Sequence, residues 1–274
     1  MSIFVQLAWM LLLAAFCCGP ALADDHPKTP PDAIDARPTE LPADLTTKLA
    51  AGSNVEKQIL PQISLLTPSQ NDRDQKRFVP SQEPFGLQAF ENAPSALSAK
   101  WADLQSRLLS EEATLAACRS GDRNCPAAAH RLLYIIDLAQ QRQGFARLGE
   151  INRAVNLSIK PVSDWAQYGV EDFWSTPIGT LSAGAGDCED YAILKYFALR
   201  EAGILRDDLR LLIVRDIKRK TDHAVVAVHL GEQWLLLDNR MLVMVNASQA
   251  RNYYPLFVLD HRGVRGVATA VFAR

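Results

Sequence analysis

Apolar residues recur at helical spacing through the middle of the chain. Leu97, Trp101, Leu104 and Leu108 fall on one stripe, and Leu132, Leu133, Ile136 and Leu138 form a second after Cys125-Pro126. Such stripes predict helices that bury one face in a core, and a third helix is predicted over about Gly144 to Asn156. Between Ser158 and Pro177 the periodicity lapses, and Pro161, Trp165, Trp174 and Pro177 read as a long loop that packs aromatic rings. The small residues Ala183-Gly184-Ala185-Gly186 then precede a helix predicted to start at Asp187-Cys188 and to run to about Ala202, with Gly203 as its C-terminal stop.

Beyond that helix the pattern changes. Leu209 to Val214, Ala224 to Leu230 and Gln233 to Leu237 read as strands, the last two joined by Gly231-Glu232. Helices first and an antiparallel sheet afterwards make an α+β protein. If Gly231-Glu232 is a two-residue turn, Leu230 pairs with Gln233, and counting back along both strands sets His223 opposite Arg240. Asp238 then lies diagonal to His223 on the same face, roughly 7 Å away between backbones. A slip of one residue would put the two on opposite faces, and Asp222 is expected to point away from His223.

The N-terminal stretch reads differently. Met1 to Ala23 carries an apolar run, a Gly19-Pro20 breaker and Ala21-Leu22-Ala23 before Asp24, the layout of a signal peptide that sends the chain to the periplasm. Its start lacks Lys and Arg, and a retained membrane anchor is the competing reading. From Asp24 to about Glu83 the chain is rich in Pro, Asp, Ser, Thr and Gln, which predicts a disordered leader. The ordered domain is expected from near Pro84 to the C-terminus, residues 84–274.

With 274 residues, 48% hydrophobic and 22% charged, the chain can build one sizeable core. A net charge of -2 and the lack of a Lys/Arg cluster with neighbouring aromatics argue against a nucleic-acid partner. Of the five cysteines, signal removal would take Cys17 and Cys18. Cys118 and Cys125 bracket Gly121-Asp122-Arg123-Asn124 and are placed to close a short disulfide loop in an oxidising compartment. Cys188 is then the odd thiol of an exported protein, which is a liability unless it is buried or used.

Its position suggests use. At a helix start the unsatisfied N–H groups and the dipole favour an anionic sulfur, the nucleophilic form. Gly184 and Gly186 ahead of it allow backbone or substrate to approach closely. A buried structural cysteine is the alternative. A cysteine nucleophile needs an imidazole. His26 falls in the leader, His130 lies on a helix beside the cysteine pair, His229 sits at the far end of its strand as a surface or packing residue, and His261 has no such pairing. His223, with Asp238 to orient it, completes a Cys188–His223–Asp238 triad. Asp187, Glu189 and Asp190 crowd three carboxylates around the sulfur. Asp187 and Asp190 fit N-cap and N3 positions of the helix. Negative charge there opposes sulfur ionisation, and a calcium ion taken up by Asp187, Glu189 and Asp190 would cancel it.

The string Ala183-Gly184-Ala185-Gly186-Asp187-Cys188-Glu189-Asp190-Tyr191, preceded by Asp172-Phe173-Trp174-Ser175-Thr176-Pro177, resembles the bacterial transglutaminase-like cysteine peptidases of LapG type. The resemblance continues through Lys195-Tyr196-Phe197, His223 and Leu237-Asp238-Asn239. It implies a papain-like, transglutaminase-like α+β fold, a triad at Cys188, His223 and Asp238, and a calcium site at Asp187 and Glu189. It also implies a periplasmic enzyme that clips a large surface adhesin at a di-alanine site to release biofilm cells, restrained by an inner-membrane receptor of cyclic-di-GMP. The long Pro-rich leader and the Cys118/Cys125 pair depart from that pattern. Two alternatives use the same residues: a transglutaminase or amidase with the same triad, and a non-catalytic calcium-dependent binding module.

Overall fold

A computed structural model describes residues 83–267 of the chain; the expected signal peptide, nearly all of the expected leader and the last residues lie outside the described residues. Six α-helices and nine strands follow in order among them. The helices are α1 (Ser95–Arg119), α2 (Ala127–Gln140), α3 (Gly144–Ser158), α4 (Asp164–Tyr168), α5 (Pro177–Ala183) and α6 (Cys188–Glu201). The strands are β1 (Ala89–Phe90), β2 (Lys160–Pro161), β3 (Ala185–Gly186), β4 (Leu209–Asp216), β5 (Thr221–Leu230), β6 (Gln233–Leu237), β7 (Val245–Asn246), β8 (Tyr253–Asp260) and β9 (Gly263–Val267).

The predicted stripes are the buried faces: Leu97, Trp101, Leu104 and Leu108 of α1 and Leu132 and Ile136 of α2 all lie in the core. Cys118 and Cys125 form a disulfide that joins the end of α1 to the turn before α2. Gly203, with φ at 93°, follows the end of α6 and terminates it in the left-handed region that glycine adopts without strain. The span expected to be one long loop contains more order than its sequence pattern reveals. It holds β2, which pairs in parallel with β3, and α4, which Ser163 caps by accepting the Ala166 N–H. Trp174 is buried as expected, whereas Trp165 is exposed.

The main sheet has seven strands in the order β1-β9-β8-β4-β5-β6-β7, all antiparallel. Only β4, β5 and β6 were legible from the pattern. Alternation along them divides two cores: Leu211, Ile213, Val226, Val228 and Leu237 join the core shared with the helices, while Leu212, Val214, Val225 and Leu236 pack on the other face. Helix α6 lies across β4 and β5 with nearly all of its side chains buried. The hairpin register is the predicted one, Leu230 opposite Gln233 and Val226 opposite Leu237.

Glu83, assigned from composition to the leader, is buried instead. Its carboxylate accepts from Arg210 Nε at 2.7 Å and from Arg265 Nη1 at 2.9 Å. Arg210 is 2% exposed in β4, and its second carboxylate, Asp260, stands at 3.4 Å. This ion cluster ties the first described residue to the sheet. Replacing Glu83 by Ala takes the nearer of two carboxylates from a buried guanidinium, so the folded state should lose about 3 kcal/mol; denaturant unfolding of the Glu83→Ala variant measures it.

Candidate active site

Cys188 is the first residue of α6 and is 3% exposed. Its Sγ lies 3.2 Å from Glu189 Oε2. It lines a cavity of about 140 Å³ together with His223, Glu189, Asp172, Trp174 and Lys100, over apolar walls from Ala96, Leu97, Ile213 and Ala224. The helix tip and the hairpin therefore present their predicted residues to one space.

The pairing of His223 with Asp238 is direct: His223 Nε2 lies 2.9 Å from Asp238 Oδ1, both residues almost wholly buried. The same Oδ1 accepts the Arg240 N–H at 2.9 Å, and Oδ2 accepts the Tyr253 hydroxyl. The Tyr253 ring stands 5.7 Å from the imidazole. Asp238 is fixed through its backbone as well, its carbonyl accepting from Asn156 Nδ2 of α3 at 2.9 Å. Burial opposes ionisation of Asp238, yet the hydrogen bonds from His223, Tyr253 and Arg240 prevail and hold its carboxyl well below the usual carboxylate range. Burial depresses the proton affinity of His223, and Asp238 opposes that effect. With Nε2 committed to Asp238, Nδ1 is buried and without a hydrogen-bond partner, which leaves it as the ring nitrogen able to serve the sulfur. His229 is a packing residue, against Asp208 at 3.3 Å and the Trp234 ring at 5.0 Å. Asp222 pairs across the strands with Arg215 at 2.6 Å; it was expected to face away from His223, yet at the start of β5 it lines the same cavity.

The acids around Cys188 divide into two overlapping groups. One carboxylate oxygen from each of Asp164, Asp187 and Asp190 lies within 4.8 Å of the others, and the same holds for Asp164, Asp172 and Glu189. Asp164 Oδ1, Asp187 Oδ1 and Asp190 Oδ2 are buried without hydrogen-bond partners. Burial pushes the Asp190 carboxyl up to about 8, with Asp187 adding to it, and pushes Asp164 up to about 6. Burial also raises Asp187 and, with the Asp187 charge, raises Glu189 well above its ordinary value. Carboxyl oxygens gathered at this separation suit a hard divalent cation, which sits about 2.4 Å from each oxygen it binds. Asp164 and Asp172 escaped the sequence reading because they lie far from Cys188 in the chain and meet it only through the packing of α4.

The expected capping roles of the acids hold only in part. Asp187 occupies the N-cap position of α6 in extended backbone but makes no side-chain capping bond, although nearby N–H groups of Glu189 and Asp190 favour its charge. Asp190 Oδ1 instead accepts the Ser175 N–H at 2.9 Å, binding the segment that carries Trp174 to the helix. Helix α1 secures the same segment: Arg107 Nη1 donates to the Trp174 carbonyl at 2.9 Å, Glu111 accepts the Ile178 N–H at 3.1 Å, and Lys100 lies 4.7 Å from the Trp174 ring centroid. Lys100 also pairs with Asp172. Both glycines serve the scaffold. Gly184, with φ at 66°, ends α5, and Gly186 leaves room for Asp190, because a Cβ there would fall 2.6 Å from Asp190 Oδ2. Tyr253 was missed for want of recognising Tyr253-Tyr254-Pro255-Leu256-Phe257-Val258 as a strand, which its aromatic and branched residues signal.

The family model of bacterial transglutaminase-like cysteine proteinases, BTLCP, matches residues 113–257. None of the curated proteins matches the sequence. Among solved structures, Legionella pneumophila LapG is 23% identical over 57% of this chain and 87% of that chain, with a TM-score of 0.47. Its EGTA-treated form is 24% identical over 58% of this chain and 86% of that chain, with a TM-score of 0.48. Its calcium-bound form is 20% identical over 64% of this chain and 93% of that chain, with a TM-score of 0.47.

The contact between Gly186 and Asp190 yields a test of the site's framework. Gly186→Ala forces a methyl against the first turn of α6, which should cost about 1–3 kcal/mol; a lowered thermal midpoint is the expected result.

Proposed function

Since this chain belongs to the bacterial transglutaminase-like cysteine proteinases, and so is a cysteine peptidase, we propose that Cys188, His223 and Asp238 are its catalytic triad, that it depends on calcium, and that it works in the periplasm. The observation that carries the triad is the buried His223–Asp238 hydrogen bond, which leaves Nδ1 unused in a residue that lines the same cavity as Cys188.

In this mechanism the Cys188 thiolate attacks the scissile carbonyl while His223, protonated at Nδ1, donates that proton to the leaving amine. The acyl-enzyme is then cleared by a water that gives its proton to His223. Asp238 holds the ring orientation through Nε2 and balances the imidazolium charge. The backbone N–H of Cys188, at the helix start, is the first oxyanion donor, and the indole of Trp174, on the wall of the same cavity, is the proposed second.

Asp164, Asp187 and Asp190 would hold the calcium ion, with Glu189 and Asp172 as the neighbouring group. When bound, calcium supplies positive charge beside Cys188 and offsets the carboxylates that oppose sulfur ionisation. Glu189 Oε2 lies 3.2 Å from the sulfur, so a change in the Glu189 environment bears directly on the nucleophile. Ala96, Leu97, Ile213 and Ala224 line the cavity with small or aliphatic groups, which favours a substrate with small apolar side chains around the scissile bond. That chemistry agrees with a di-alanine site in a large surface adhesin as substrate, and control by an inner-membrane receptor of cyclic-di-GMP belongs to the same reading. Export is supported by the layout of Met1 to Ala23 and by the Cys118–Cys125 disulfide, a bond that persists in oxidising compartments.

Cys188→Ala should abolish adhesin processing in cells and peptide hydrolysis by the purified chain, and Asp238→Asn should slow hydrolysis roughly 10²–10⁴-fold; full activity of Cys188→Ala would overturn the triad, and incorporation of an amine in place of water would convert the reading to a transglutaminase. Calcium at a free concentration a hundredfold above its Kd should stabilise the fold by about 2.7 kcal/mol. Asp164→Asn and Asp190→Asn should lose that increment in a thermal-shift titration.

A further inference from the structure

We propose that a second cavity, walled by Tyr253 and separate from the one that holds Cys188, binds a ligand carrying a carboxylate, with Lys218, Arg219 and Arg240 as the cations that receive it. The proposal goes beyond the peptidase reading and does not rest on it.

The cavity measures about 330 Å³, against about 140 Å³ for the one at Cys188, and among the described residues the two share no lining group. That volume reaches the range of pockets that take small organic ligands, roughly 300–1,000 Å³. Three segments form it: the turn after β4, the stretch from Arg240 to Val245 after β6, and the approach from Gln249 to Tyr253 at the start of β8. The Ile217 N–H donates to the Asn252 carbonyl at 2.9 Å and holds the first of these segments to the third.

Charge on the lining is one-sided. Lys218, Arg219 and Arg240 face a single acid, Asp216, among the described residues, so an excess of positive charge remains. Asp216 is already saturated. Its Oδ1 accepts the N–H groups of Lys218 and Arg219, both at 3.0 Å, and its Oδ2 accepts from Arg219 Nη1 at 3.2 Å and from Arg240 Nη1 at 2.9 Å. A guanidinium offers its N–H donors as a planar fork matched to carboxylates, and only Nη1 of each arginine meets Asp216, so both keep donors for a second carboxylate. The Arg219 side chain is 61% exposed and that of Arg240 21%, which leaves both within reach of a solute.

The rest of the lining selects the kind of anion. Met241, Val245 and Ala250 set apolar groups beside the cations. An aliphatic carboxylate uses both kinds of wall, whereas a bare inorganic anion uses the cations alone and loses hydration against the rest. The site also borders the triad. Tyr253 donates its hydroxyl to Asp238, and the Arg240 N–H donates to the same carboxylate, so a ligand here rests on two residues that hold Asp238 in place.

The test uses the full chain with labelled methionine methyl groups, calcium-saturated at neutral pH and low ionic strength, with the Met241 resonance as the reporter. The probes are succinate, an acetylated and amidated alanyl-aspartyl-alanine peptide, and inorganic sulfate, with succinamide as the uncharged control. Succinate or the peptide should shift the Met241 resonance saturably, and Lys218→Gln combined with Arg219→Gln should weaken that binding at least about tenfold. Saturation by succinate alone identifies a free dicarboxylate, and saturation by the peptide alone identifies an acidic side chain of a polypeptide; either supports the site. Added sodium chloride should weaken binding to the unaltered chain, a check that stands if the double variant does not fold. The proposal is overturned if neither carboxylate probe saturates, if sulfate binds more tightly than both, if succinamide binds as well, or if neither the double variant nor salt lowers the affinity.

Discussion

An imidazole and a carboxylate 2.9 Å apart in the interior of this chain are the constraint that the rest of the site serves. Burying a carboxylate is costly unless its lone pairs are occupied. Here a backbone N–H, a tyrosine hydroxyl and the histidine itself occupy them, while Asn156 pins the main chain. The consequence is a ring that cannot choose its orientation: Nε2 is taken, and Nδ1 is what remains for chemistry.

The opposite electrostatic situation holds around the sulfur. Four acids, Asp164, Asp187, Glu189 and Asp190, have carboxyls raised above their ordinary values, burial being the first cause in each. Carboxyls gathered this closely are compatible with a divalent ion between them. The arrangement also explains why the segment from Asp164 to Trp174 matters beyond its length. It supplies Asp164, Asp172 and the indole on the cavity wall; Arg107 locks its end to α1, and Asp190 of α6 holds the next residue, Ser175.

Much of this was legible in local pattern. The hairpin register followed from a two-residue turn, because alternation makes a strand intolerant of a one-residue slip, and with it came the His223–Asp238 pairing. Helix α6 could be read from its small-residue run, its acids and Gly203. What escaped depends on contacts distant in sequence. Asp164 and Asp172 have no spacing relation to Cys188, and Tyr253 reaches Asp238 only because β8 lies beside β4, which an unrecognised strand conceals. Glu83 resembled the polar leader in composition, and only the guanidinium of Arg210 in β4 accounts for its burial. Gly186 was read as a place of close approach, and the group it makes room for is Asp190.

The most direct test of the central claim is the rate at which a neutral alkylating reagent modifies Cys188, followed at neutral pH in reducing, calcium-containing buffer for the unaltered chain and for His223→Ala. If the imidazole sustains an anionic sulfur, modification is rapid in the former and at least about tenfold slower in the latter. Equal rates in the two chains would contradict the account.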